Sequence, residues 1–185
     1  MTPSNGLTGI QVGRFWGTPE AAAPSGLVAD HLASLVLYPD PGSAFGKNKI
    51  IRAISTLLAP KRIVTFLLLQ GYGGMVFVRN GKIVGHVIGQ KHEDQFHIFA
   101  INVVELLERN NGTATRLVCI VLDAIHDTKK FLWVRVGAGG NVYTNRIYNR
   151  IWSEQKHRLK VVLTQVIPEN ADSADGWFYL RPGYR

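Results

Sequence analysis

Between Gln95 and His126 the chain passes from an aromatic and β-branched run, through a polar turn, into an apolar pattern of helical period. No other stretch restricts the fold so strongly. Gln95 to Val104 reads as a strand. Leu117, Val118, Val121, Leu122 and Ile125 recur at steps of three and four, which marks one face of a helix. The link is Arg109-Asn110-Asn111-Gly112-Thr113-Ala114, polar and small-residued. A strand that feeds a helix through such a turn can hold an anion. The first-turn N–H groups have no intrahelical acceptor, and the helix dipole adds positive potential there. Gly112 and Ala114 would let a phosphate come close to that backbone.

The rest of the chain sorts by period and punctuation. Thr8 to Phe15 predicts a short strand, and Leu27 to Leu37 a helix that ends before Tyr38-Pro39-Asp40-Pro41-Gly42. Lys47 to Leu58 reads as a second helix stopped by Pro60, while Ile63 to Leu69 fits a buried strand or a helix equally well. Met75 to Arg79 and Ile83 to Ile88 are β-rich runs joined through Asn80-Gly81, the strongest short hairpin signal, because both residues accept positive φ. Gln95 to Val104 is the third member of this antiparallel set. Phe131 to Val136 predicts a further strand and Asn141 to Trp152 a helix. Val161 to Ile167 and Gly176 to Arg181 are the last strands, parted by the polar loop Pro168 to Asp175.

Composition narrows the class without naming a function. With 185 residues, 46% hydrophobic and 18% charged, the chain reads as one globular domain over 1–185. Cys119 is the only cysteine, so a disulfide framework and a cysteine zinc site are excluded, and its place in the helical run makes it a small core residue. No metal ligand set is expected. The start lacks the order of a signal peptide and no apolar run approaches a membrane span, so a cytoplasmic protein is the expectation. The net charge of +8 fits nucleic acid or a phosphate-rich cofactor. Lys47, Lys49, Arg52, Lys61 and Arg62 group loosely, as do Arg146, Arg150, Lys156, Arg158 and Lys160; each group reads as a solvated helix face.

The spacing Arg109-x-x-Gly112-x-Ala114 resembles the (Gln/Arg)-x-x-Gly-x-(Gly/Ala) signature of the GNAT N-acetyltransferase superfamily. Asn141-x-x-Thr144-x-x-x-Tyr148 is similar to that family's Asn-x-x-Ala-x-x-x-Tyr on the helix after the fifth strand. The order of elements looks like the same fold over nearly the whole chain. The resemblance implies an α+β protein, a three-layer α/β arrangement with a mixed, mostly antiparallel sheet and a splay between the fourth and fifth strands. It further implies that the amides of Arg109, Asn110, Asn111, Gly112, Thr113 and Ala114 hold the pyrophosphate of acetyl-CoA. Val104 matches the family's fourth-strand bulge, which leaves backbone groups for pantetheine, and Asn141 matches a second pantetheine contact. Tyr148 matches the acid that protonates the departing thiolate, a task suited to a hydroxyl with pKa near ~10.

Three features depart from the family pattern. Asn110 stands where glycine is common, and Tyr148 is followed by Asn149-Arg150-Ile151-Trp152 instead of Gly-Phe. The place where a fourth-strand base is usual holds Ile98; His97 beside it would face the other side of a regular strand. His97 is the candidate base, with His86 and Glu105 as others. The expected activity is acyl-CoA-dependent N-acyl transfer, with acetyl-CoA as cosubstrate and direct attack by a primary amine. The acceptor, a small molecule or a protein, is not legible. A CoA-binding or protein-interaction module without turnover and a basic nucleic-acid-binding domain are the alternatives, nucleic acid being the weaker; a homodimer stays open.

Overall fold

Asn80 and Gly81 take φ values of 50° and 73° and fold Tyr72–Arg79 (β2) back onto Lys82–His92 (β3), as the Asn-Gly pair predicts. In this computed structural model the described residues are 6–37, 59–105, 109, 111–137, 142–155, 157–160, 162–164 and 175–180. Thr8–Val12 (β1) pairs antiparallel with β2, and Gln95–Val103 (β4) pairs antiparallel with β3. Trp133–Gly137 (β5), Val162–Thr164 (β6) and Asp175–Tyr179 (β7) complete a seven-stranded sheet in the order β1-β2-β3-β4-β5-β7-β6. Every neighbouring pair is antiparallel except β4 and β5, which run parallel.

Among the described residues, five α-helices precede the turn or follow it. Pro19–Ala22 (α1) starts at Thr18, whose side chain accepts from the Ala21 N–H. Leu27–Leu37 (α2) has the bounds its periodicity predicts and buries Val28, Ala29, Leu32, Ala33 and Val36. Pro60–Leu69 (α3) resolves the ambiguous run as helix. Pro60 occupies the first turn of α3, where its missing N–H costs nothing. Thr113–Thr128 (α4) and Val142–Arg150 (α5) follow, the latter ending in a π-helical turn, Ile151–Gln155. The expected helix Lys47 to Leu58 and most of the loop from Pro168 lie outside the described residues.

Two apolar layers sandwich the sheet. On one face α4 and α5 cover Phe77, Val87, Phe96, Ile98, Val134 and Val136. On the other, α2 and α3 cover Val12, Val76 and Ile88. This is the three-layer arrangement expected from the sequence. Phe15, read as the end of β1, instead lies in a 3-10 turn, Arg14–Trp16, and packs edge-on against Phe96 and Phe131. Cys119 packs at the margin of the α4 layer; burial and the Asp123 carboxylate push its thiol up to about 12, so it is no nucleophile at neutral pH.

Strand β4 carries the feature that shapes the site. The register with β3 slips by one at Phe99: Ile88 faces Ala100, whereas Gly89 faces Ile98. One residue is added to β4, so the alternation of side chains changes sense there. Ile98 and Val103, five residues apart, therefore both enter the α4 core. Pairing with β5 stops at the same level, since it runs only from Gln95–Trp133 to Ile98–Val136. Beyond Ile98 the two strands part, and this is the expected splay.

Candidate functional site

Gly112 forms the N-cap of α4 with φ 74°, a left-handed conformation that glycine adopts without strain. No side chain caps this end, and the first turn holds no acidic residue, so neither offsets the positive end of the helix dipole. Arg116 N–H to Gly112 carbonyl is the first intrahelical bond, which points the amides before it outward. The turn read from the sequence therefore presents first-turn amides and a helix N-terminus at one place.

A cleft of about 590 Å³ opens at this point in the splay. Ile101, Asn102 and Val103 of β4 form one wall, Gly112 to Thr115 the second, and Tyr143, Arg146, Ile147 and Arg150 of α5 the third, with Arg109 at the turn. The α5 residues follow the i, i+3, i+4, i+7 pattern of a single helix face. Among the described residues, three arginines and no carboxylate line the cleft. Arg109 Nε donates to the Val103 carbonyl at 2.9 Å, and Arg150 Nε to Glu154 Oε2 at 2.8 Å. Both guanidinium groups are anchored through Nε, which directs their terminal nitrogens onward. Arg150 Nη1 would stand 3.3 Å from a Cβ placed on Gly112, so its charge lies over the turn. Ile101, Val103, Ala114 and Ile147 give the same space an apolar side. The arrangement suits a ligand with a polyphosphate end and an uncharged arm.

The predicted residues fall in different places. Arg109, Gly112, Thr113 and Ala114 converge on the cleft, with Asn111 exposed next to them. Asn110 and Asn141 lie outside the described residues. Val104 is exposed and does not line the cleft. Its N–H and that of Glu105 both meet the Val84 carbonyl, at 2.8 and 3.3 Å. Two residues facing one is a bulge, but it occupies the amides that the sequence reading left open for a ligand. The break that coincides with the splay is the one at Phe99.

Tyr148 belongs to the opposite side of α5 from the lining face. It is 3% exposed and its ring meets that of Phe178 edge-on at 5.9 Å. Burial raises its pKa, so the hydroxyl keeps its proton. His97 faces away from Phe96 and Ile98, beside Phe99, with Nε2 3.3 Å from a Cβ placed on Gly137. It therefore stands where β4 and β5 begin to part. His86 is 3% exposed and its Nδ1 lies 3.0 Å from His31 Nε2. Burial first, and the neighbouring His31 second, push its imidazole down to about 3, too weakly basic for proton abstraction at neutral pH. Arg146 and Arg150 were read as a solvated face. The structure turns both into the cleft, a fact visible in advance only in their i, i+4 spacing beside Tyr143 and Ile147. Among the described residues no cluster of three or more histidine, cysteine, aspartate or glutamate side chains could hold a metal ion. No described helix is long and apolar enough to cross a membrane.

No protein-family model and no curated protein matches the chain by sequence. Solved structures do match it in fold. A chimeric spermidine N-acetyltransferase from Vibrio cholerae and hSSAT superposes with TM-score 0.52 at 12% identity, over 95% of each chain. An acyl-CoA N-acyltransferase from Pseudomonas aeruginosa gives 0.50 at 15% identity, over 95% of this chain and 99% of that one. An aminoglycoside acetyltransferase in complex with coenzyme A gives 0.50 at 9% identity, over 93% and 92%. With its parallel β4–β5 junction, splay and flanking helices, the chain has the GNAT acyl-CoA N-acyltransferase fold.

Proposed function

We propose that this chain is an acyl-CoA-dependent N-acyltransferase that moves an acyl group, acetyl in the simplest case, to a primary amine. The observation that carries the reading is the arginine-lined cleft at the uncapped start of α4, set in the β4–β5 splay. When bound, the cosubstrate supplies an activated thioester: the amine forms the new C–N bond, the C–S bond breaks, the nitrogen gives up a proton and the sulfur gains one.

The chain's own residues have separable tasks in this reading. The turn amides through Gly112 and Ala114, with Arg109 and Arg150, hold the pyrophosphate. Ile101, Val103 and Ile147 pack the uncharged arm. A β4 amide near the Phe99 bulge polarises the thioester carbonyl. Tyr148, behind the Ile147 wall, donates its retained proton to the thiolate, and His97 at the splay accepts the amine's proton. The acceptor approaches from the α2 face, and a cytoplasmic location belongs to the same reading.

Acetyl-CoA incubated with a panel of amines, with free thiol as the readout, tests the proposal. Thiol release that needs both partners supports it. A specific observation favours a second reading, a CoA-binding module without turnover: Tyr148 is buried on the core side of α5 and does not line the cleft. CoA-dependent stabilisation with no thiol release across the panel would select that reading.

A further inference from the structure

Apolar side chains seat α2 on the sheet, and one polar contact joins them. Val28, Ala29, Leu32, Ala33 and Val36 pack with Val12, Val76 and Ile88. Beside them His31 of α2 meets His86 of β3: Nε2 of the first lies 3.0 Å from Nδ1 of the second, and the ring centroids are 5.0 Å apart. His86 stands mid-sheet, between Val76 of β2 and Asn102 of β4, and is 3% exposed; His31 is half-buried. Two facing ring nitrogens share one hydrogen, so one donates and the other accepts. A single imidazolium keeps that bond but places a charge in the apolar layer. A second puts hydrogens on both facing nitrogens and breaks it. Burial lowers the proton affinity of both rings, and the charge of His31 adds to the effect at His86. The other titratable groups on the elements packed here are Asp30 of α2, Lys61 and Arg62 of α3, Tyr72 and Arg79 of β2, Lys82, Lys91 and His92 of β3, and His97 of β4. Among the described residues, His31 is the one whose charge acts on His86.

We infer that the His31–His86 pair is a pH-sensitive latch, which holds α2 against the sheet while both rings are neutral and releases it on acidification. The closed contact cannot keep two added protons, whereas each imidazole of a released α2 takes one up at an ordinary pKa of about 6.5. The closed form is therefore favoured above that pH, and the balance moves towards release as the pH falls below it. The shift is up to about tenfold per pH unit for each ring that stays neutral in the closed contact. The latch goes beyond the acyltransferase reading and does not depend on it. In that reading α2 borders the acceptor's approach, so acid loosens the acceptor's side and spares the cleft at α4.

Native-state hydrogen exchange read by NMR in low urea tests this, using protection factors, which remove the intrinsic pH dependence of exchange. In wild type the amides of Leu32, Ala33 and Val36 should lose protection roughly tenfold between about pH 6 and pH 5, through an opening that urea hardly changes. Those of Val118, Val121 and Leu122 in α4 should stay better protected and exchange only through the urea-dependent global unfolding. Replacing the pair together, His31→Leu with His86→Leu, puts apolar side chains at both places and should remove the urea-independent acid opening of α2. Circular dichroism checks that this variant folds. Imidazole nitrogen spectra of wild type give a reading that needs no variant: both rings should be neutral at pH 7 and gain protons over the range in which α2 loses protection. Steady α2 protection down to pH 5, α2 and α4 exchanging through one urea-dependent opening, the same acid opening in the double variant, or rings that titrate while α2 is unmoved would each overturn the latch. None of these results bears on CoA binding, so the acyl-CoA reading stands or falls separately.

Discussion

Replacing Gly112 by valine strikes the turn in two ways whose sizes can be worked out. At φ 74° a β-branched residue is strained by roughly 1–2 kcal/mol. For a chain of 185 residues each kcal/mol moves Tm by about 2–4 °C, so the ligand-free variant should melt roughly 2–8 °C lower. The new Cβ would also lie 3.3 Å from Arg150 Nη1, and the valine methyls extend further, which displaces that guanidinium from the turn. CoA at about 100 times its Kd stabilises the wild-type fold by about 2.7 kcal/mol, or roughly 5–11 °C. A hundredfold loss of affinity at the same concentration leaves only about 0.4 kcal/mol, or roughly 1–2 °C. Thermal unfolding of both proteins with and without CoA measures the two effects separately. A variant that melts lower yet gains the wild-type CoA shift would show that the turn does not hold the phosphates.

Two further substitutions test other parts of the account. Tyr148→Phe should cost about 1 kcal/mol of stability at most, leave the CoA shift intact and lower turnover on the order of 10² to 10⁴, as read by thiol release under conditions where chemistry limits; unchanged turnover returns Tyr148 to the core. For His86, whose folded pKa lies near 3 against 6.5 in the unfolded chain, the unfolded state binds the extra proton between these values. Stability should therefore fall as pH drops from about 6.5 towards 3, by up to about 1.4 kcal/mol per pH unit, and His86→Gln should flatten that slope in urea titrations; an equally steep slope in the variant would refute the buried neutral imidazole.

What the sequence made legible was what local chemistry decides. Asn80-Gly81 can turn in few ways, and the apolar spacing from Leu27 to Leu37 gave α2 its observed ends. Gly112 before a helical run located the helix start because φ, small size and helix polarity all act within a few residues. Pro60 was less decisive, since proline ends one helix as readily as it begins another. Quantities set between strands were hidden. The extra residue at Phe99 depends on the register with β3, and nothing in Ile98-Phe99-Ala100 announces it. The bulge was therefore sought at Val104, where a second, smaller break does lie, but with its amides bound to Val84. Arg146 and Arg150 looked like solvent-facing charge because α5 is amphipathic. Only the splay shows that part of its polar face looks into a cleft. The base and the acceptor are the least legible, since His97 and His86 differ by tertiary packing and not by neighbours in sequence.

The central claim is that phosphates are held where α4 begins. Nitrogen–proton NMR of the 20.5 kDa chain titrated with acetyl-CoA tests it residue by residue. The account predicts that the backbone amides of Gly112, Ala114 and Thr115 and the Nε–H groups of Arg109 and Arg150 shift together with a single dissociation constant, while β1 from Thr8 to Val12 stays still. Shifts confined to α2 and α3, or none at saturating acetyl-CoA, would contradict it.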